Sequence, residues 1–150
     1  METIGFIGVG KVGTEIVKLL IGGGYRVLGY RRGSLADFEK IGGTPARSPA
    51  HVGEQADIVF SCLPGGDSLD DVVNGPNGLI HSARSGQIIA ELGSHPLPAK
   101  ERQIDRLRAK GAAFLDGEVS GTPGMVAQRK APIYLAGDAE ACKKLEPKLA

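Results

Sequence analysis

Three glycines near the N-terminus have a spacing that could hold phosphate groups. Gly8, Gly10 and Gly13 form a G-x-G-x-x-G pattern directly after the apolar run "TIGFI" and at the start of a helix-like stretch. In a dinucleotide-binding turn the first glycine permits a tight bend, the second leaves room for a pyrophosphate and the third lets the helix approach the sheet. A purely structural turn is the alternative, but the strand–turn–helix context favours a cradle. Its predicted members are Gly8, Val9, Gly10, Lys11, Val12 and Gly13.

The end of the second predicted strand is basic where an acid is expected for NAD. A carboxylate at this place binds the ribose 2′-hydroxyl of NAD. The sequence has "GYRRGS" there, with Tyr30 and Arg31 in the acid's place and the nearest acid, Asp37, inside the next predicted helix. An arginine can bind the 2′-phosphate of NADP through two hydrogen bonds and stack on adenine. The pattern therefore predicts NADP, with NAD less favoured. Arg32 is either a second contact or a solvated charge, and Ser34 could add a donor.

Short apolar runs alternate with longer amphipathic ones. Strands are predicted at residues 3–8, 25–31, 56–64, 86–92, 112–120 and 131–137, and helices at 11–24, 34–42, 96–111 and 138–150, with Ser34 as one N-cap. Continuous rather than alternating apolar strands indicate a sheet that is covered on both faces. The predicted fold class is therefore α/β, a Rossmann-type doubly wound, mainly parallel sheet with helices on both faces.

The composition describes one globular domain without a strong charge field. The 150 residues carry a formal net charge of +1, which argues against nucleic acid as a partner. No run approaches the ~20 apolar residues of a membrane span, and the first residues lack a signal-peptide pattern. Cys62 and Cys142 are far apart, and the three histidines have no metal-ligand spacing, so no metal site is expected. A reducing, cytoplasmic location is the expectation.

Four segments together resemble the β-hydroxyacid dehydrogenases. They are "IGFIGVGKVGTEIVKLL", "ADIVFSCLPG", "GQIIAELGSHP" and "GAAFLDGEVSGTPGMVA", in the family's order and spacing. The family includes 3-hydroxyisobutyrate dehydrogenase, glyoxylate and succinic semialdehyde reductases, and 6-phosphogluconate dehydrogenase. The resemblance implies that the "CLPG" loop, with Cys62, Leu63 and Pro64, lies along the cofactor's ribose and diphosphate. It also implies that Ser94, in "ELGSHP", stands beside the nicotinamide ribose.

The segment "FLDGEVSG" is similar to the family's F-L-D-A-P-V-S-G-G segment, which anchors a substrate carboxylate. The resemblance implies that Ser120 and Gly121 donate to that carboxylate, with Thr122 where the family has a second glycine. Glu118 replaces the family's proline, and an inward-pointing carboxylate would repel an anionic substrate. Either Glu118 points outward or the substrate is not a simple hydroxy acid, and the family also contains imine reductases.

The resemblance also bears on the organisation of the whole protein. In the family, the acid–base lysine lies in a K-x-x-N spacing on a helix that follows the dinucleotide-binding domain. No residue of this chain is therefore expected to be catalytic; residues 1–150 are expected to form that domain, incomplete at its C-terminal end, without the helical catalytic and dimerisation domain. The expected function is NADP binding for hydride transfer to or from a small carboxylate substrate. A non-catalytic binding module remains the alternative, and self-association into a homo-oligomer remains open.

Overall fold

The computed structural model describes residues 1–149. The strands are β1 (Thr3–Ile7), β2 (Arg26–Tyr30), β3 (Thr44–Pro45), β4 (Ile58–Ser61), β5 (Ile88–Glu91), β6 (Ala113–Val119) and β7 (Ile133–Ala136). The helices are α1 (Lys11–Gly22), α2 (Ala36–Lys40), α3 (Pro49–Gln55), α4 (Gly66–Asn74), α5 (Leu97–Arg108), α6 (Pro123–Ala127) and α7 (Ala139–Leu149). A 3₁₀ turn, Leu79–His81, lies between α4 and β5.

The strands form one sheet in the order β3-β2-β1-β4-β5-β6-β7. The pairs from β3 through to β6 are parallel, and β7 runs antiparallel to β6. The chain moves outward from β1 to β3 and then crosses to β4, so the strand order reverses between β1 and β4. Connections leave in opposite directions from such a point and open a crevice at the carboxyl ends of the strands, where ligands bind in this fold class. The predicted Rossmann-type fold is confirmed.

Apolar side chains cover both faces of the sheet. One face buries Ile4 and Phe6 of β1 against α1, α6 and α7, and the other buries Ile7 against α3, α4 and α5. The alternation along β1 is the two-residue period of a strand. Each fully buried side chain of this size contributes roughly 1.5–3 kcal/mol of transfer free energy. These two apolar layers fix the strand ends that carry the candidate site.

Helix α1 follows directly from its sequence. Ile16, Val17 and Leu20 are buried at helical spacing against the sheet. The helix ends at glycines, where the Gly23 N–H donates to the carbonyls of Leu19 and Leu20. The position of this helix is therefore set by its packing, and its N-terminus is fixed at the end of β1.

Some local structure differs from the prediction. The short strand β3 and the helices α3, α4 and α6 are additional elements. Ser34 is not an N-cap: Leu35 occupies that position, because α2 begins one residue later than a Ser34 cap requires. The Ser34 hydroxyl oxygen instead accepts the Ala36 N–H at 3.1 Å and still satisfies a donor of the first turn. No helix within residues 1–149 combines the length and apolar character needed to span a bilayer.

Candidate functional site

The glycine turn between β1 and α1 excludes side chains at two of its three glycines. Gly8 has φ +86°, and a Cβ there would lie 2.4 Å from the Cys62 carbonyl oxygen. A Cβ on Gly13 would lie 2.8 Å from the Gly8 carbonyl oxygen and 2.9 Å from Cε1 of Phe6. The first glycine is thus required by the bend and the third by the close approach of helix and sheet, as the spacing predicted.

Gly10 differs from the other two because it faces open space. A Cβ on Gly10 would meet no atom within 4 Å. Gly10 is also the N-cap residue of α1, and no side chain caps that helix end. The first N–H groups of an α-helix have no partner within the helix, so the N-terminus of α1 presents donors and a partial positive charge to this space. The arrangement suits an anionic group such as a diphosphate.

A groove of about 540 Å³ runs from this turn across the carboxyl ends of β1, β2 and β4. It brings together most of the residues predicted to bind cofactor. Its lining is Ile7, Gly8, Val9, Gly10, Lys11, Val12, Gly13, Tyr30, Arg31, Arg32, Cys62, Leu63, Pro64, Ser68 and Val72. Ser68 and Val72 come from α4, which the sequence analysis did not assign. Two predicted cofactor contacts, Ser34 and Ser94, lie outside the lining. The predicted substrate contacts, residues 120–122, also lie outside it.

Two arginines follow β2 and differ in their surroundings. Both are exposed and line the groove. Arg32 forms an ion pair with Asp71 of α4, so it is more than a solvated charge. Arg31 donates from Nε to the Arg32 carbonyl oxygen at 3.3 Å. The turn is joined to this strand end because the Gly8 N–H donates to the Tyr30 carbonyl oxygen at 2.9 Å.

The loop after β4 forms the opposite wall of the groove. Its first residue is tied to β1, because the Cys62 N–H donates to the Ile7 carbonyl oxygen at 2.9 Å. Burial raises the pKa of the Cys62 thiol to about 11, and the negative charge of Glu91 adds to this effect. A thiol with this pKa is neutral near pH 7, so Cys62 brings no negative charge to a bound diphosphate and is a poor nucleophile.

The loop after β5 places Ser94 beside β6. The Ser94 hydroxyl donates to Oε1 of Glu118 at 3.2 Å, and both residues are exposed. The Glu118 carboxylate therefore points toward Ser94, the residue that the resemblance assigned to the nicotinamide ribose. A negative charge at this place disfavours a substrate carboxylate brought against the same strand end.

The predicted substrate contacts lie at the carboxyl end of β6. The Ser120 N–H donates to the Pro132 carbonyl oxygen at 2.9 Å, which ties the end of β6 to the segment before β7. Gly121 has φ +149°, a conformation that strongly favours glycine. Thr122 is the N-cap of α6, and its hydroxyl oxygen accepts the Met125 N–H at 3.2 Å. These residues form the turn into α6.

Sequence reasoning missed the most buried charged group near the groove. Glu91, the last residue of β5, has no exposed surface, and its side chain lies behind the loop after β4. The signal was present, since an acid at the end of the apolar run "IIA" must be satisfied by nearby donors. His95 is turned inward toward this carboxylate, with Nε2 at 3.0 Å from Oε1, and its side chain is fully buried.

The fold and the groove define a nicotinamide-dinucleotide-binding domain. The chain matches the family model described as the NAD binding domain of 6-phosphogluconate dehydrogenase over residues 3–150, and it belongs to that family.

Named relatives support this membership. A probable 3-hydroxyisobutyrate dehydrogenase-like protein of Arabidopsis thaliana is 29% identical over 147 residues, which cover 96% of this chain and 49% of the relative. L-threonate dehydrogenase of Cupriavidus necator is 30% identical over 151 residues, which cover 99% of this chain and 51% of the relative. The chain thus spans about half the length of these curated relatives.

Solved structures have the same fold. 3-Hydroxyisobutyrate dehydrogenase of Mycobacterium tuberculosis, solved with L-serine, has a TM-score of 0.90 and 23% identity over 99% of this chain and 51% of its own. An imine reductase from Myxococcus stipitatus in complex with NADP⁺ has a TM-score of 0.88 and 22% identity over 98% of this chain and 51% of its own. A V8 variant from the same organism was solved with NAD⁺.

Proposed function

We propose that this chain binds NADP(H) as the dinucleotide-binding domain of an oxidoreductase. The observation that carries the proposal is the space over Gly10, which lines the groove and where a Cβ would meet no atom within 4 Å. The uncapped N-terminus of α1 faces the same space and supplies N–H donors for a diphosphate. Residues 8–13 and 62–64 hold the diphosphate and its riboses in this proposal.

The basic end of β2 favours NADP over NAD. Arg31 lines the groove at the strand end where an acid would bind the ribose 2′-hydroxyl of NAD. In this proposal its guanidinium binds the 2′-phosphate and Tyr30 lies beside the adenosine. Arg32 contributes less, because its charge is already balanced by Asp71. Ser34 contributes through the turn that it stabilises rather than through direct contact.

The reaction proposed for the whole protein is hydride transfer between nicotinamide C4 and the carbonyl or hydroxyl carbon of a small hydroxy acid or semialdehyde. Ser94 orients the nicotinamide ribose, and Ser120, Gly121 and Thr122 hold the substrate. Reduction of a carbonyl also needs a proton donor within hydrogen-bond distance of the oxygen. None of the residues of this chain is proposed for that task, so residues 1–150 alone are expected to bind cofactor without turnover.

The test is a calorimetric titration of the chain with NADPH, for the wild type and for Gly10→Val. A valine at position 10 meets no protein atom at its Cβ, so the chain should still fold, with at most the modest loss of stability expected for an apolar N-cap. Its methyl groups would occupy the space proposed for the diphosphate, so NADPH binding should be lost. The proposal is wrong if the wild type does not bind NADPH, or if a folded Gly10→Val chain binds it equally well.

A second candidate is the reduction of an imine, and Glu118 is the observation that favours it. Its carboxylate accepts a hydrogen bond from Ser94 at 3.2 Å and would attract a protonated imine while repelling a carboxylate. NMR saturation transfer onto the NADP⁺-loaded chain would compare pyrrolidine with 3-hydroxyisobutyrate, in wild type and in Glu118→Gln. The imine candidate predicts a stronger pyrrolidine signal that Glu118→Gln removes. The hydroxy-acid candidate predicts the opposite preference in the wild type.

A further inference from the structure

Glu91 is a buried carboxylate with four hydrogen-bond donors around it. Oε1 accepts the Leu63 N–H at 3.0 Å, the Gly93 N–H at 2.8 Å and His95 Nε2 at 3.0 Å. Oε2 accepts the hydroxyl of Ser61, which is the partner of Glu91 across the β4–β5 pair. Glu91 is 0% exposed and Ser61 1% exposed. A carboxylate so far from water is stable in a fold only when its acceptors are satisfied in this way.

Three of the four donors come from two different loops, and the fourth, Ser61, is the last residue of β4. Leu63 belongs to the loop after β4, which lines the groove, whereas Gly93 and His95 belong to the loop after β5. The Glu91 side chain therefore accepts hydrogen bonds from both loops and holds the loop after β4 against the loop after β5. Since a carboxylate only accepts, the His95 ring donates to Glu91 from Nε2. Nδ1 is buried and has no hydrogen-bond partner within residues 1–149.

The space around the carboxylate is filled. A Cβ on Gly93 would lie 2.6 Å from Oε1 of Glu91 and 2.5 Å from the Leu63 carbonyl oxygen. No positive φ requires a glycine at position 93, so the reason for it is the close approach of these two groups. The two loops thus pack closely around the carboxylate, and Leu63 is 8% exposed between them.

We propose that Glu91 is a positioning residue for the diphosphate and nicotinamide half of the cofactor. It touches no cofactor atom itself; it acts through the Leu63 N–H, which fixes residues 62–64 along the groove. The proposal rests on the proposed binding of NADP(H). Arg31 lies at the end of β2 on the far side of β1, so the adenosine half of the groove is built independently of Glu91.

This division of the groove allows a positioning role to be distinguished from a general structural defect. A positioning role weakens NADPH binding more than 2′,5′-ADP binding, whereas a general defect weakens both. NADPH spans both halves, whereas 2′,5′-ADP carries only the adenosine and its 2′-phosphate. Glu91→Met keeps the length of the side chain but leaves the Leu63 and Gly93 N–H groups without an acceptor. It should weaken NADPH binding about tenfold and change 2′,5′-ADP binding less than about twofold. Glu91→Gln is the matched control, because its amide oxygen can accept the same N–H groups and its amide nitrogen can donate to the Ser61 hydroxyl. Its NADPH affinity should stay within about threefold of wild type.

Both ligands would be titrated into the three proteins by calorimetry, with thermal melting as the check on folding. The inference is overturned if wild type and Glu91→Met bind NADPH equally well, or if Glu91→Met loses equal affinity for both ligands. In either case, NADPH binding by the wild type would leave the proposed function intact. A wild type that bound neither ligand would overturn both. If Glu91→Met does not fold, Ser61→Ala takes its place, since it removes one donor and should weaken NADPH selectively by about threefold. An unchanged ratio of NADPH to 2′,5′-ADP affinity in Ser61→Ala would then contradict the proposal.

Discussion

The guanidinium of Arg32 is ion-paired with the carboxylate of Asp71, which lies on α4 across the end of the groove. Its neighbour Arg31 makes its hydrogen bond to a backbone carbonyl instead. The two adjacent arginines look equivalent in the sequence, but they differ in how far their charge is balanced. The charge of Arg32 is balanced by a carboxylate, whereas the hydrogen bond of Arg31 goes to an uncharged carbonyl. The end of β2 has no acid of its own, and Asp71 of α4 is the acid that neutralises Arg32.

Removing the acid should release Arg32 toward the 2′-phosphate. Asp71→Asn is predicted to raise NADPH affinity by about threefold and leave NADH affinity unchanged, because only NADPH carries the additional negative charge. The effect is small because the pair is largely exposed, with 72% and 59% of the two side chains accessible. Calorimetry with both cofactors measures it.

Asp70→Asn is the control for this prediction. Asp70 is also acidic and lies on the same helix, but it accepts from Asn74 and Gln103 and pairs with Arg106 of α5. Those bonds lower the pKa of the Asp70 carboxyl, with the Gln103 hydrogen bond as the largest cause. Asp70→Asn should not change the preference for NADPH. A gain of NADPH affinity in Asp70→Asn, or none in Asp71→Asn, would contradict the assignment of Asp71.

The glycines of the turn should separate stability from binding. Gly13→Ala is predicted to lower the free energy of unfolding by about 1–3 kcal/mol, because its Cβ would meet Gly8 O at 2.8 Å and Phe6 Cε1 at 2.9 Å. Gly10→Ala has open space at its Cβ and should change stability by less than about 1 kcal/mol. Urea unfolding of the two variants tests this order, and equal losses would mean that the turn does not pack as described.

Cys62 should make stability depend on pH in the alkaline range. Its pKa is raised from an ordinary 9.0 to about 11, first by burial and then by the charge of Glu91. The native state holds the proton more tightly than the unfolded chain, so this stabilisation is complete below pH 9 and is lost as pH rises toward 11. At pH 10 the loss relative to pH 7 is about 1 kcal/mol.

The measurement compares urea unfolding at pH 7 and pH 10 for wild type and Cys62→Ala. The alanine variant lacks the titrating group and should lose about 1 kcal/mol less than the wild type between the two pH values. Iodoacetamide labelling followed by mass spectrometry should also leave Cys62 unmodified at pH 8. Rapid labelling of Cys62 in the folded chain at that pH would show that the thiol is not protected as described.

Lys100 of α5 should be important for the strand that carries Glu118. Its side chain is 5% exposed, pairs with Asp116 of β6, and donates to the Gly117 carbonyl oxygen at 3.0 Å. Lys100→Ala is predicted to cost about 1–3 kcal/mol, since a buried carbonyl loses its donor and Asp116 its partner. Thermal melting against Lys110→Ala, an exposed lysine, measures the difference. Equal melting temperatures would show that the pair contributes nothing to β6.

The parts of the fold that the sequence predicted are those with strong local signals. The β1–α1–β2 unit combines a continuous apolar strand, helical spacing of Ile16, Val17 and Leu20, and glycines with defined positions. Helices α3 and α4 have weaker signals: α3 contains a glycine and few apolar residues, and α4 is mostly polar apart from Leu69, Val72 and Val73. Their formation depends on packing against the sheet, which local pattern does not reveal.

The candidate site divides in the same way. The places of the glycine turn and of Arg31 in the groove were predictable because they depend on one helix and the two strands beside it. The ion pair between Arg32 and Asp71 joins residues 39 apart, and the contact of Glu91 with Leu63 joins residues 28 apart. Such pairs depend on which strand lies beside which, so they became visible only in the folded chain.

The selection of a 2′-phosphate by Arg31 is the part of the proposed function that most directly distinguishes NADP from NAD. The direct measurement is a calorimetric titration of NADPH and NADH into wild type and Arg31→Ala. We expect the wild type to prefer NADPH and Arg31→Ala to lose about tenfold to a hundredfold in NADPH affinity, with little change for NADH. A wild type that binds both cofactors equally, or an Arg31→Ala chain that keeps the full preference for NADPH, would contradict this selection.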